Sequence, residues 1–280
     1  MDDPLLRRLV PALAAVPGVD AVVLGGSRSR GDAVAGSDYD IGLYFRAGTP
    51  LDVGALKAAV APLVDTPSEG NVTEIGEWGR WIVGGGWLTI DGQSVDLLYR
   101  NADDVADTIA RARNGVIEVD YQPGHPHGFL SPIWLAEVHH CRILADRSGT
   151  VTRMKRSLTP YPRALGEAIV ARFQWEIAFA AGNAAKAIAR NDTSYIAGSI
   201  FRALACAAQV ICAINGAYVM NEKGALRLAG TLHLAPRDLE GRVETVWACF
   251  ADKDYAAALD ALNHIDRDVA RLVEVWREAA

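Results

Sequence analysis

The sequence has few of the residues that mark disulfide scaffolds, zinc knuckles or nucleic-acid tails. Only four of its 280 residues are cysteine, and no two of them form a Cys-x-x-Cys pair. This pattern favours buried free thiols over a zinc site or a disulfide framework. No long run of lysine and arginine occurs, and the formal net charge is −6. A protein that grips a nucleic-acid backbone needs a basic stripe to neutralise several phosphates, so no nucleic-acid partner is expected.

Membrane-spanning and secretory signals are also missing. No stretch approaches 18 consecutive apolar residues, so no transmembrane helix and no membrane partner are expected. The first twenty residues lack a basic segment followed by an apolar core, which predicts a cytoplasmic protein without a signal peptide. Half of the residues are hydrophobic and 22% are charged, as in a globular protein with one large core or two smaller ones.

Hydrophobic periodicity differs between the two halves of the chain. The first half alternates helical stretches with strand-like runs, two of which meet at a hairpin signal, Asp91-Gly92. The second half has apolar residues at helical spacing to its end. The predicted fold class is therefore α+β, with an N-terminal α/β domain on a mixed sheet (residues 1–150) and a C-terminal all-α helical bundle (residues 151–280). Helices are predicted over residues 4–16, 51–64, 102–113, 236–250 and 254–278, and along two apolar stripes that begin at Leu165 and Ile196.

A glycine-rich turn is followed, ten residues later, by two aspartates: residues 24–44 read LGGSRSRGDAVAGSDYDIGLY. Strand alternation puts Asp38 and Asp40 on one face, where like charges raise each other's pKa unless a cation lies between them. Mg²⁺ takes one or two protein carboxylates together with phosphate oxygens of a substrate. The Gly-Gly-Ser turn (residues 25–27) lets backbone N–H groups approach a phosphate. The segment therefore predicts a triphosphate at the turn and magnesium at the aspartates.

A third aspartate lies in the strand-like run SVDLLYR, residues 94–100. On that strand Asp96 would face away from the apolar side chains on either side of it. A third carboxylate beside the metal pair could complete the coordination or accept a proton from an attacking hydroxyl. Trp78, Trp81 and Trp87 flank this region, and we expect them in the sheet core, with a stacking platform as the alternative.

Together these motifs resemble the nucleotidyltransferase superfamily typified by DNA polymerase β. The layout, an α/β domain followed by a helical bundle, is similar to that of antibiotic nucleotidyltransferases such as the aminoglycoside adenylyltransferases. The resemblance implies that Asp38 and Asp40 bind Mg²⁺, with two ions expected, and that Asp96 assists as a metal ligand or as the base. In some antibiotic-modifying members a glutamate is the base instead, so Glu74 and Glu77 stay open as alternatives to Asp96.

The nucleotide site is predicted from both halves of the chain. The turn supplies candidate phosphate contacts at Gly25, Gly26, Ser27 and Arg28. In the family the second domain commonly sends a lysine to the triphosphate, and the resemblance assigns this role to Lys223. A lysine there would act as a point charge on the leaving pyrophosphate.

The implied activity is transfer of a nucleoside monophosphate, expected to be AMP from ATP, to a hydroxyl of a small-molecule acceptor such as an antibiotic, with release of pyrophosphate. Two other classes stay open. One is a nucleotidyltransferase of the toxin–antitoxin type that modifies a protein, and the other is a nucleotide-binding regulatory protein without turnover. A monomer or a homodimer is expected.

Overall fold

The structure is a computed structural model, and its chain divides into two compact units that are each described separately. The first unit comprises residues 1–110 and 134–160, and the second comprises residues 111–133 and 161–280. These units differ from a division at residue 150 because residues 111–133 group with the helices of the second unit. The residues that the structure describes are 3–31, 33–34, 36–66 and 71–279.

The described residues form seven strands and eleven helices. The strands are β1 (Ala21–Leu24), β2 (Tyr39–Phe45), β3 (Gly85–Ile90), β4 (Gln93–Asn101), β5 (Val119–Asp120), β6 (Phe129–Leu130) and β7 (Arg142–Asp146). The helices are α1 (Pro4–Ala14), α2 (Gly26–Arg30), α3 (Val53–Val60), α4 (Ala102–Arg113), α5 (Ile133–His140), α6 (Thr150–Ser157), α7 (Arg163–Ile188), α8 (Thr193–Ile214), α9 (Ala225–Gly230), α10 (Leu239–Ala251) and α11 (Tyr255–Glu278).

A five-stranded mixed sheet forms the centre of the first unit. Its strands run in the order β3-β4-β2-β1-β7. Strands β2 and β4 are parallel, and the other neighbouring pairs are antiparallel. The hairpin between β3 and β4 turns at Asp91 and Gly92, which have φ values of 52° and 70°, as in the two-residue turns that follow the twist of paired strands. The mixed sheet and the helical C-terminal region confirm the predicted fold class.

The two faces of this sheet differ in character because side chains alternate along each strand. One face, which we call the core face, carries buried apolar side chains such as Ile41, Leu43, Val95 and Leu97, and packs against α1 and α3. Burial of these side chains is the main source of stability for the first unit. The opposite face carries Asp40 and is called the acidic face below.

The second unit is mostly helical, and its centre is the pair α7 and α8, on which α11 packs. The predicted apolar stripe on α8 is buried along its length, from Ile196 to Ile214. Helix α8 is long and apolar enough to cross a membrane, but 67% of its most apolar window is buried among the other helices. Such burial is typical of the core helix of a globular unit.

A polar cluster ties the loop before β6 to the helices of the second unit. The backbone N–H of His127 donates to the Glu222 carboxylate at 2.8 Å, and Arg202 contacts His127 Nδ1 at 3.0 Å. Arg202 also donates two hydrogen bonds to Glu176. Burial, together with the charge of Arg202, lowers the pKa of His127 to about 4. These contacts explain why residues 111–133 belong to the helical unit.

Candidate active site

Four residues form one row across the acidic face of the sheet. In the parallel pairing of β2 with β4, Asp40 lies directly beside Asp96. In the antiparallel pairing of β3 with β4, Trp87 lies on the other side of Asp96. On the β1 side, the backbone N–H of Gly25 donates to the carbonyl of Asp40 at 2.7 Å. Because paired residues share a face, the row runs Gly25, Asp40, Asp96, Trp87.

Glycine is required at position 26 by the close approach of Asp40. Gly26 has a φ of 59°, in the left-handed region that favours glycine. A Cβ atom at this position would lie 1.7 Å from Oδ2 of Asp40. The glycine turn therefore holds the chain against the Asp40 carboxylate, and the short helix α2 starts immediately beside it.

The two central carboxylates are poorly compensated by positive charge. Burial is the largest cause that raises the pKa of Asp40, and the negative charges of Asp96, Asp38 and Glu137 add to it. Together they raise this pKa to about 6. The positive charge of Arg30 opposes this shift. Burial and the charge of Asp38 also raise the pKa of Asp96. Both carboxylates are half-buried, so a bound cation would remove an electrostatic cost that the protein alone leaves in place.

A buried ion pair closes the far end of the acidic face. Arg100, only 2% exposed, lies four residues beyond Asp96 on β4 and therefore on the same face. Its Nε and Nη2 atoms donate to the two carboxylate oxygens of Glu137 on α5, at 2.8 and 2.7 Å. A third donor, Nη1, bonds to the carbonyl of Tyr99 at 2.9 Å. This forked pair fixes α5 over the sheet and brings the Glu137 charge near Asp40.

The remaining residues of the predicted phosphate and metal motif lie around the turn. Asp38 is exposed and directly precedes β2. Ser27 and Arg28 lie on α2. The Arg28 guanidinium donates to the Ser37 carbonyl at 2.7 and 3.0 Å and lies 3.7 Å from the ring centre of Tyr39. Arg28 therefore ties the spacer back to the start of β2, and its contact with phosphate stays a prediction.

The alternative bases have contacts with other parts of the first unit, and the predicted lysine belongs to the second unit. Glu74 is exposed and pairs with Lys57 at 2.7 Å. The charges of Glu74 and Glu77 act on Tyr99, whose side chain belongs to the core face. Lys223 lies in an exposed turn before α9 in the second unit, so its role at the triphosphate stays a prediction.

Two neighbours of the carboxylates did not follow from the sequence. Glu137 approaches Asp40 from α5, an element that the sequence analysis did not predict. Trp87 was expected in the core, but it is 59% exposed. Strand alternation could have found it, because Leu88 and Ile90 on the same strand are both buried and Trp87 must face the other way. Trp81, in contrast, is buried as expected.

The donor set of the row suits a hard divalent cation. Among the described residues, no group of three or more histidine, cysteine, aspartate or glutamate side chains is arranged to hold a metal ion. Mg²⁺, however, needs only one or two protein carboxylates when substrate phosphates supply further oxygens. Asp40 and Asp96, side by side and short of positive charge, fit that requirement.

Comparisons with known proteins identify the class of the first part of the chain. Residues 6–113 match the family model described as a nucleotidyltransferase domain. The first part of the chain is therefore a nucleotidyltransferase domain, and the predicted enzyme class, a nucleotidyltransferase, is confirmed. Nothing in this match singles out the aminoglycoside-modifying type.

The rest of the chain has a second match. Residues 131–223 match a family model described as a domain of unknown function, DUF4037. A nucleotidyltransferase-like protein from Exiguobacterium sibiricum is similar in structure, with 13% sequence identity and a TM-score of 0.45, over 98% of this chain and 79% of that one. No curated protein matches the sequence.

Proposed function

We propose that the enzyme transfers a nucleoside monophosphate, AMP from ATP, to a hydroxyl group of a small-molecule acceptor and releases pyrophosphate. The observation that carries this proposal is the direct pairing of Asp40 with Asp96 beside the Gly25-Gly26 turn. In such a site, carboxylates that hold a cation lie next to backbone that can approach phosphate. Nucleotidyl transfer needs both features at one place.

Asp40 and Asp96 would hold Mg²⁺, with Asp38 adding a third carboxylate from the start of β2. The raised pKa of Asp40 supports this assignment, because its neighbours destabilise the charged form when no cation is present. Mg²⁺ bound there would neutralise charge on the phosphates as the leaving group departs. A second ion would depend on Asp38, which is exposed and therefore able to turn toward the pair.

Asp96 is the better candidate for the base than either glutamate. It lies in the same row as Asp40, whereas the charges of Glu74 and Glu77 act on a tyrosine of the core face. Asp96 would accept the proton of the acceptor hydroxyl as that oxygen attacks the α-phosphorus. The bond from the α-phosphorus to the bridging oxygen then breaks, and the electron pair leaves with pyrophosphate.

A small acceptor is favoured over a nucleic acid by charge. The chain has a net charge of −6, and the acidic face would repel a polyanion. Lys223, from the second unit, would support the reaction by holding the triphosphate. In the glycine turn, the Ser27 hydroxyl and the backbone N–H groups would contact the phosphates. An antibiotic is one acceptor of suitable chemistry.

The proposal is tested by incubating the full chain with Mg²⁺ and ATP labelled at the α-phosphate, in a filtered extract of small molecules. We expect label in a small molecule, equal release of pyrophosphate, and no reaction after chelation with EDTA. Labelled protein in an unfiltered lysate, with no labelled small molecule, would show instead that the acceptor is a protein. Nucleotide binding without any pyrophosphate release would contradict transfer altogether.

A further inference from the structure

We propose that Trp87, supported by Trp78, forms a platform that binds a ring of the acceptor molecule next to Asp96. This inference rests on the proposed function and adds to it the shape of the acceptor. The starting observation is the place of Trp87 in the row: it is the direct cross-strand neighbour of Asp96, on the acidic face. Side chains of directly paired residues lie about 5 Å apart, so a molecule that stacks on the indole reaches the carboxylate.

The platform is exposed and held in place from one side. Trp87 is 59% exposed on the edge strand β3. The Trp78 ring stacks on it, with centroids 4.4 Å apart and an interplanar angle of 26°. Trp78 lies over Gly85, where a Cβ atom would come within 2.6 Å of the indole. The same Cβ atom would lie 2.0 Å from the carbonyl oxygen of Leu97, so glycine at position 85 makes room for that backbone as well as for Trp78. The stacked pair limits the movement of the exposed Trp87 side chain.

The protein itself leaves most of Trp87 uncovered. Large aromatic side chains gain stability from burial, and Leu88 and Ile90 on the same strand are buried on the other face. Trp87 would bury more surface if a ligand covered the acidic face. Aromatic side chains beside a few polar groups are the lining typical of small-molecule sites.

The order of the row assigns the platform to the acceptor and not to the nucleotide. The glycine turn lies on one side of the two carboxylates, and Trp87 lies on the other. In phosphoryl transfer the attacking and leaving oxygens lie roughly in line on opposite sides of the phosphorus. If pyrophosphate leaves toward the turn, the acceptor must approach from the side of Trp87.

The chemical class of the acceptor follows from these neighbours. The face of the indole binds the C–H face of a sugar or cyclitol ring, or an aromatic ring. The adjacent carboxylate binds a hydroxyl group on the same ring. We therefore expect a hydroxylated ring compound, and we expect open-chain polyols with the same number of hydroxyls to be poor acceptors.

The experiment measures two properties of the full-length enzyme with Mg²⁺. The first is the affinity for a non-hydrolysable ATP analogue, measured by calorimetry. The second is pyrophosphate release from ATP with methyl glucoside or myo-inositol as ring probes and with sorbitol as the open-chain probe. For the wild type we expect kcat/KM for the rings to exceed that for sorbitol at least about tenfold, a difference typical of one stacked ring.

Three variants then separate stacking from general burial. Trp87→Leu keeps an apolar side chain but loses the aromatic face, and should remove the ring preference without changing the affinity for the ATP analogue. Trp87→Phe should restore most of the preference. Thr89→Ala, two residues along on the same face and also exposed, should behave as the wild type.

The outcomes distinguish this proposal from the one on which it rests. If the wild type does not bind the ATP analogue, the proposed function fails and the platform fails with it. If the analogue binds but ring and open-chain probes react alike, including no reaction with either, only the platform is wrong. A weaker affinity of Trp87→Leu for the analogue would show that the indole holds the nucleotide base and would overturn the assignment to the acceptor.

Discussion

Replacing Asp40 with asparagine should make the protein more stable and much less active. The folded protein raises the pKa of Asp40 from its ordinary 3.8 to about 6. The native state therefore binds this proton more tightly than the unfolded chain, and the ionised carboxylate destabilises the native state above pH 6. At about 1.4 kcal/mol per pKa unit the cost is at most about 3 kcal/mol, and solvent screening of this half-buried group reduces it to about 1–2 kcal/mol.

The difference in stability between Asp40→Asn and the wild type should depend on pH. Above pH 6 the wild type carries the charge in the folded state, so Asp40→Asn should melt about 2–5 °C higher. As the pH falls from about 6 to about 4, the wild type becomes protonated at Asp40 and the two proteins should converge. Below pH 4 no difference from this group should remain, because the side chain is neutral in both proteins and in both states.

The assay combines thermal melts of the metal-free protein at pH 8 and pH 4.5 with pyrophosphate release at pH 8. Asp40→Asn should lose at least about 10²-fold in kcat, as when a central electrostatic partner is removed. Mg²⁺ with ATP should stabilise the wild type much more than the variant. Asp107→Asn, an exposed position on α4, is the matched control and should change neither property. A variant that is less stable than the wild type at pH 8, or that transfers at the wild-type rate, would refute this reasoning.

Three further substitutions test other parts of the site. Asp96→Asn should lower kcat far more than it weakens nucleotide binding, and Glu77→Gln should change neither kcat nor nucleotide affinity by much. Steady-state kinetics and calorimetry measure the two quantities, and the reverse result would make Glu77 the base. Gly26→Ala should abolish transfer, because its Cβ atom would lie 1.7 Å from the Asp40 carboxylate. The control is Gly31→Ala, which is also at positive φ but has open space around its Cβ atom, and it should lose only about 1–2 kcal/mol of stability. Equal activities in the two variants would rule out the packing argument. Lys223→Ala should raise KM for ATP several-fold with kcat less affected, and an unchanged KM would remove the lysine from the nucleotide site.

Local patterns were sufficient to predict which face of its strand Asp96 occupies. Alternation along β4 correctly placed Asp96 opposite Val95 and Leu97, because one face of that strand is buried and a slip by one residue would expose it. The helix predicted over residues 102–113 has the same bounds in the structure as α4. In both cases the signal lies within a few consecutive residues, and tertiary contacts agree with it.

Other elements carried no local signal of that kind. Strands β5 and β6 contain two residues each, which is too short for a periodic pattern to appear. Strand β7 was also not predicted, although it completes the sheet by pairing with β1. The prediction for Trp87 failed for a different reason. Tryptophan has a general tendency to be buried, but in the structure the alternation of the strand decides the position of Trp87.

The gradient of charge along the acidic face explains why part of this site could not be found from sequence. At one end Arg100 and Glu137, 37 residues apart in the chain, satisfy each other in a buried forked pair that secures α5. At the other end Asp40 and Asp96 form no such pair with any residue that the structure describes, and the fold leaves them half-exposed beside a glycine turn. Paired charges hold the architecture, and unpaired charges of one sign keep the capacity to bind a cation and its phosphates. The unpaired end is encoded in two short motifs, whereas the paired end depends on where a distant helix packs, which no short motif records.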